Sequence, residues 1–201
     1  MINKFVISRQ EKVTGLLKKV SSLYESYNNR EYDFEENLLK LLDDVKTYYE
    51  NENRYAAITM TQSLKSDMLS TLKGIDPVKF EKITTGRRNL QLTTGFRVLK
   101  ETDNHLRIEL DNINAKLEEA EQIIGQVILT ALQAGIISFE ELKADITHTE
   151  IETMWKKISN DINLLLVQKK ILLLVSYFDI IIKTEAVIIK LINSITINER
   201  N

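Results

Sequence analysis

Residues 162–197 read INLLLVQKKILLLVSYFDIIIKTEAVIIKLINSITI, and the fold class turns on how that stretch is understood. Three structures compete for it: a membrane span, a set of buried strands and a buried helix. A span needs about 20 nearly uninterrupted apolar residues. Lys169, Lys170, Asp179, Lys183, Glu185 and Lys190 interrupt every such window, and each charge at a bilayer centre would cost about 2.5–3.5 kcal/mol. Strands would suit the β-branched Ile and Val content, yet no Gly, Pro or Asn-Gly turn divides the run into strand-sized pieces. The polar residues favour a helix. Lys169, Ser176, Lys183 and Lys190 recur every seven residues, with Asp179 and Asn193 close to the same line. On a helix they form one narrow polar stripe, and a helix apolar around the rest of its circumference is buried on nearly all sides. The stretch is therefore expected to be the central helix of a bundle, with its lysine stripe reaching water.

Working back toward the N-terminus, Met154, Trp155 and Ile158 should share a face with Ile162. Thr147-His148-Thr149 marks a bend, and Ser138 with Glu141 reads as a capping box opening a new helix. Gly135 ends the helix before it. In that helix Leu99, Leu106, Ile113, Ala120, Val127 and Ala134 recur every seven residues, and Leu110, Leu117, Ile124 and Ala131 recur between them. This is a coiled-coil-like heptad with one polar slip at Asp103. Ile128, Leu129 and Leu132 widen its apolar face toward the C-terminal end.

Residues 84–95 are locally unusual, because Thr84-Thr85-Gly86-Arg87-Arg88 is echoed by Thr93-Thr94-Gly95-Phe96-Arg97. Thr and Gly are poor helix formers. Three forms fit: a bent or loosely helical connection whose glycines allow close packing, a β-hairpin with its tip at 86–89, or an anion site built on Arg87, Arg88 and Arg97. No Lys-Ser/Thr follows the glycines as in a phosphate loop. Nearer the N-terminus, Val13, Leu16, Val20, Leu23 and Tyr27 mark a first helix from about Phe5 to Asn28. Asp33, with Glu36 behind it, opens a second helix with a stripe of Phe34, Leu38, Leu41, Val45 and Tyr48. It is expected to continue, with a phase change, through the polar run 50–54 to Leu64, Met68 and Leu72, closing at Gly74. Asp76-Pro77 should start the next helical piece.

One proline and six glycines in 201 residues mean few turns. The expected fold is all-α: a single elongated domain over 1–201, an antiparallel bundle of about four or five long helices with coiled-coil-like packing. Net charge is −2 with the signs interspersed, against generic nucleic-acid binding, which needs a basic excess. The absence of cysteine excludes disulfides, thiolate metal sites and a cysteine nucleophile. The segment from Met1 to Lys12 has no apolar core long enough for a secretory leader. A cytoplasmic location is expected, although a chain secreted without a leader would read the same way.

Candidate chemistry is sparse. Glu101, His105 and Glu109 share a helix face at spacings of four, which could hold a metal but also describes ordinary helix-surface pairs. Asp145 and His148 show one carboxylate-x-x-His spacing, where a dimetal bundle needs two. Adjacent acids at 43–44, 118–119 and 140–141 point in different directions on a helix. No nucleophile elbow, phosphate loop or dinucleotide fingerprint is present. Tyr24, Tyr27, Tyr48, Tyr49 and Tyr55 should pack between the first two helices or form a protein-binding surface. No catalytic, cofactor or metal residue is assigned, and no cofactor is expected. Arg87, Arg88 and Arg97 are candidate anion or partner contacts. Leu99, Leu106, Leu110, Ile113, Leu117 and Ile124 are a candidate helix interface. The chain is expected to be a non-enzymatic scaffold or interaction subunit that binds another protein or a copy of itself. The alternative is a membrane-active helical protein, of pore-forming or membrane-sculpting type, that exposes its apolar C-terminal helix at a bilayer.

Overall fold

The computed structural model describes residues 5–198, with side chains through residue 194. These residues form seven α-helices and no strand: α1 (Val6–Asn28), α2 (Phe34–Asn51), α3 (Tyr55–Leu72), α4 (Arg87–Gln133), α5 (His148–Ile158), α6 (Ile162–Leu174) and α7 (Tyr177–Asn198). The chain is all-α, as its lack of breakers implies. The helices outnumber the four or five expected because the chain turns at places the apolar periodicity runs straight through. Residues 1–4 and 199–201 lie outside the described residues.

The first such place is the polar run after α2. Asn53 takes a left-handed conformation with φ 55°. Its N–H donates to the Glu50 carbonyl at 3.1 Å, and the Arg54 N–H donates to the Tyr49 carbonyl at 2.9 Å. Together these bonds close a Schellman cap. The second helix therefore stops at Asn51 instead of continuing. Gly74 and Gly135 close α3 and α4 with the same pair of bonds, where the sequence places the stops. Arg30 closes α1 likewise, at φ 54°.

The chain divides into two compact units, residues 11–111 and residues 1–10 with 112–201. In the first, successive helices run antiparallel. Lys19 pairs with Asp44 at 2.7 Å, Lys65 with Asp43, and Arg97 with Asp67 at 2.7 Å. Its core is the set of stripes seen in the sequence: Val13, Leu16, Val20 and Leu23 from α1, Leu38, Leu41 and Val45 from α2, Leu64 and Met68 from α3, and Leu99 and Leu106 from α4. Of the Thr-Gly repeat, Thr84, Thr85 and Gly86 lie in the non-helical connection before α4, Thr93, Thr94 and Gly95 lie within a helix, and neither forms a hairpin strand. α4 begins at Arg87 and runs through Thr93, Thr94 and Gly95. Gly95 is there for packing, since a Cβ would sit 2.7 Å from Cε1 of the buried Phe34. The Phe34 ring also packs at a tilt against that of Tyr27, which packs at a tilt against that of Phe96. Asp76-Pro77 starts no helix. It forms a tight loop, described below.

The heptad slip at Asp103 has a partner: its carboxylate accepts from the Tyr24 hydroxyl and from Arg107 Nε at 2.9 Å. Glu109, also buried, accepts from the Tyr48 hydroxyl at 3.2 Å and pairs with Arg54 at 3.3 Å. Tyr49 lies beside it, and burial followed by the Glu109 charge pushes its phenol up to about 12.

The second unit holds the C-terminal part of α4 and helices α5 to α7. The Ser138–Glu141 box caps a single 3-10 turn, Phe139–Glu141, and no longer helix. Thr147 is a cap where a bend was expected. Its hydroxyl accepts from the Glu150 N–H at 3.3 Å, and the Glu150 carboxylate accepts from the Thr147 N–H at 2.8 Å. From α5, Ile151, Met154, Trp155 and Ile158 turn inward, and Trp155 Nε1 donates to Thr184 Oγ1 at 2.9 Å. Ile162 does not join them, because the chain turns over residues 159–161 before α6 begins.

Candidate interaction surface

The stretch expected as one central helix is two helices. Val175 is extended (φ −135°, ψ 166°) and ends α6. Ser176 starts α7 with a reciprocal cap: its N–H and hydroxyl donate to the Asp179 carboxylate at 2.9 and 2.7 Å, and its oxygen accepts from the Asp179 N–H at 3.3 Å. The same carboxylate accepts from the Val6 and Ile7 N–H groups, at 2.8 and 3.0 Å. Asp179 is fully buried, and its charge sits against the first turns of two helices, where orphan N–H groups and the helix dipole favour an anion. Ser176 and Asp179 are thus not part of a solvated stripe. Of that stripe, Lys169 is exposed, while Lys183 (2.8 Å) and Lys190 reach Glu121 on α4. Those two lysines hold the Glu121 carboxyl below the usual carboxylate range. An open groove of about 850 Å³ runs past this trio, lined also by Gln10, Asn114 and Gly125.

Splitting the stretch leaves α6 short, with Leu, Ile and Val on every side of it. Asp161 caps it, accepting from the N–H groups of Asn163 and Leu164 at 2.9 and 3.1 Å. Leu164, Gln168 and Ile171 form the buried line, and Gln168 Oε1 accepts from the Ser159 hydroxyl at 2.8 Å. Two residues out of phase, and so on the opposite side, stand Ile162, Leu166 and Leu173, at 71, 55 and 79% exposure. Phe178, in the first turn of α7, adds a fourth exposed apolar side chain. Lys169 and Lys170 lie between Leu166 and Leu173, both exposed. Covering a side chain of this size fully is worth about 1.5–3 kcal/mol. The surface can therefore bind apolar matter, and its two cations set a preference for what accompanies it.

The residues singled out from sequence lie elsewhere. Arg87 donates to the Leu72 carbonyl, Arg88 pairs with the buried Glu35, and Arg97 lies between Asp67 (2.7 Å) and Glu101 (3.1 Å). The Asp67 hydrogen bond leads the causes that keep Arg97 more basic than usual. Each arginine serves a separate internal contact. Leu99, Leu106, Ile113, Leu117 and Ile124 are buried in the chain's own core, and Leu110 is half-buried. Ala134 is exposed just past the end of α4. Glu101, His105 and Glu109 do not converge: the first pairs with Arg97, the second faces water and the third turns inward to Tyr48 and Arg54. His148 lies 3.4 Å from Glu185. Among the described residues no group of three or more His, Asp or Glu is placed to hold a metal ion. The α6 surface was missed because an all-round apolar helix hides which side faces in. The signal was Ser176-x-x-Asp179, a cap in mid-run. Comparisons with protein-family models, with curated proteins and with solved structures find no match for this chain.

Proposed function

We propose that the protein is a non-enzymatic interaction subunit that binds another protein through the outer face of α6 and the start of α7. The observation that carries this reading is the line Ile162, Leu166 and Leu173, exposed opposite the buried line of the same helix, with Phe178 exposed at the start of the next one. Apolar side chains grouped on one face mark an interface. A parallel copy packed symmetrically through this face would set Lys169 against its counterpart, a like-charge contact. The chemistry fits better a partner that presents apolar anchors at helical spacing with acidic residues between them, laid along α6 as one helix on another. The coiled-coil-like packing of the heptad on α4 then serves the scaffold, and α6 serves recognition. The second reading, a membrane-active protein that turns its C-terminal helices to a bilayer, draws on the same side chains. Against it, α6 has 13 residues, and no helix among the described residues is long and apolar enough to cross a membrane.

The test is in-cell photo-crosslinking from position 170 in the organism of origin, with and without the paired change Leu166→Glu and Leu173→Glu. A discrete crosslinked protein that disappears in the double variant, while helicity and melting are kept, supports the reading. A crosslink pattern indifferent to the double change overturns it.

A further inference from the structure

We infer that the loop between α3 and α4 is a membrane-docking element that seats the protein on an anionic lipid surface. This goes beyond the proposed role of α6 and involves different residues.

The loop has a built frame. Asp76 Oδ1 accepts from the N–H groups of Val78 and Lys79, at 2.8 and 3.1 Å. The Phe80 N–H donates to the Asp76 carbonyl and the Asp76 N–H to the Glu81 carbonyl, each at 2.8 Å. Ile75 and Lys82 form an antiparallel bridge, and the Ile83 N–H closes the base on the Gly74 carbonyl at 2.8 Å. At the tip, Val78 is 76% and Phe80 83% exposed. Phe80 sits in the left-handed region at φ 58°, a conformation that suits glycine and strains an aromatic residue. The fold gains little burial from a side chain so exposed. A large apolar group held out by a hydrogen-bonded frame, at a position where glycine would serve the backbone better, points to work outside the fold.

Charge and area select the occupant. From Lys73 to Arg87 the chain carries Lys73, Lys79, Lys82 and Arg87 against Asp76 and Glu81, a net charge of +2 (4 − 2), in a protein whose overall charge is −2, the next residue, Arg88, being paired with Glu35. Apolar tip residues with a basic collar match the boundary between acyl chains and anionic headgroups. Two apolar side chains are far too few for a stable protein interface, which buries on the order of 1,000 Å² or more. Shallow insertion needs no such matching area, because lipid closes around whatever enters it.

The experiment is flotation of the full-length protein with phosphatidylcholine vesicles, with and without phosphatidylserine, at low and high salt. The expected result is flotation only with phosphatidylserine, reduced by salt. Phe80→Gly should lose at least tenfold in binding while melting no lower than the parent, since glycine relieves the backbone. Lys79→Gln with Lys82→Gln should lower binding while the fold is kept. Three results would each overturn the inference: no flotation of the parent with anionic vesicles, undiminished binding by Phe80→Gly, or binding lost instead in the Leu166→Glu, Leu173→Glu variant. The last would move the lipid contact to α6 and sink the protein-binding reading too, whereas the first two leave it intact.

Discussion

Asp179 shows how much one side chain can hold. Among the described residues its carboxylate receives four hydrogen bonds, two from the start of α1 and two from Ser176. Burying these oxygens is tolerable because backbone N–H groups at helix starts and a hydroxyl donate to them. Asp179→Ala leaves the N–H groups of Val6, Ile7 and Ser176 without this acceptor. Each unmet buried donor costs about 1–3 kcal/mol, so the loss should be about 3 kcal/mol or more, read as a lowered urea midpoint. Asp179→Asn keeps one oxygen and should fall between the two. Equal stability of all three proteins would show that water takes over the cap freely. Neither the burial nor the reach to residues 6 and 7 could be read from sequence, because a carboxylate in a heptad-like polar line looks solvated until the partner helix is in place.

At the scale of the element, caps decided what periodicity could not. The stripes of α1, α2 and α4 were legible, since an amphipathic face records which side is buried. Gly74 and Gly135 were legible as stops because glycine is the usual left-handed residue. Arg30 and Asn53 perform the same task without glycine's signature, and the helix was read straight through Asn53. The outcome expected for Arg30→Gly follows from that conformation. Relieving the φ of 54° should raise stability by about 0.5–1 kcal/mol, less the extra entropy of the unfolded chain. Thermal melting checks it, and a lowered melting temperature would mean the arginine side chain earns its place by a contact. The candidate site was less legible than the fold. Arg87, Arg88 and Arg97 stood out by type, but each has an internal acceptor. The α6 surface is composed of the same Leu and Ile as the core, and only the break at Val175 separates the two roles.

At the scale of the whole molecule, alkaline pH should be the more informative titration. Tyr49 holds its proton up to about 12, raised first by burial and then by Glu109. The unfolded phenol ionises near 10, so between these values the folded chain carries the extra proton and stability falls as pH rises. The decline should begin near pH 10 and be complete above about 12, amounting to about 2–3 kcal/mol for a two-unit shift. Tyr24 and Tyr177 are raised too and add in the same direction. Tyr49→Phe should flatten the curve over that window, and an unchanged alkaline slope would show that the buried tyrosine is not its source. The joint at Asp179 also has a consequence in time. Ile7 and Asp179 are 172 positions apart, and a ribosome adding about 5–20 residues per second needs roughly 10–35 s to cover that distance. For that interval the first turn of α1 is without this acceptor, so the joint closes only once Asp179 has been made.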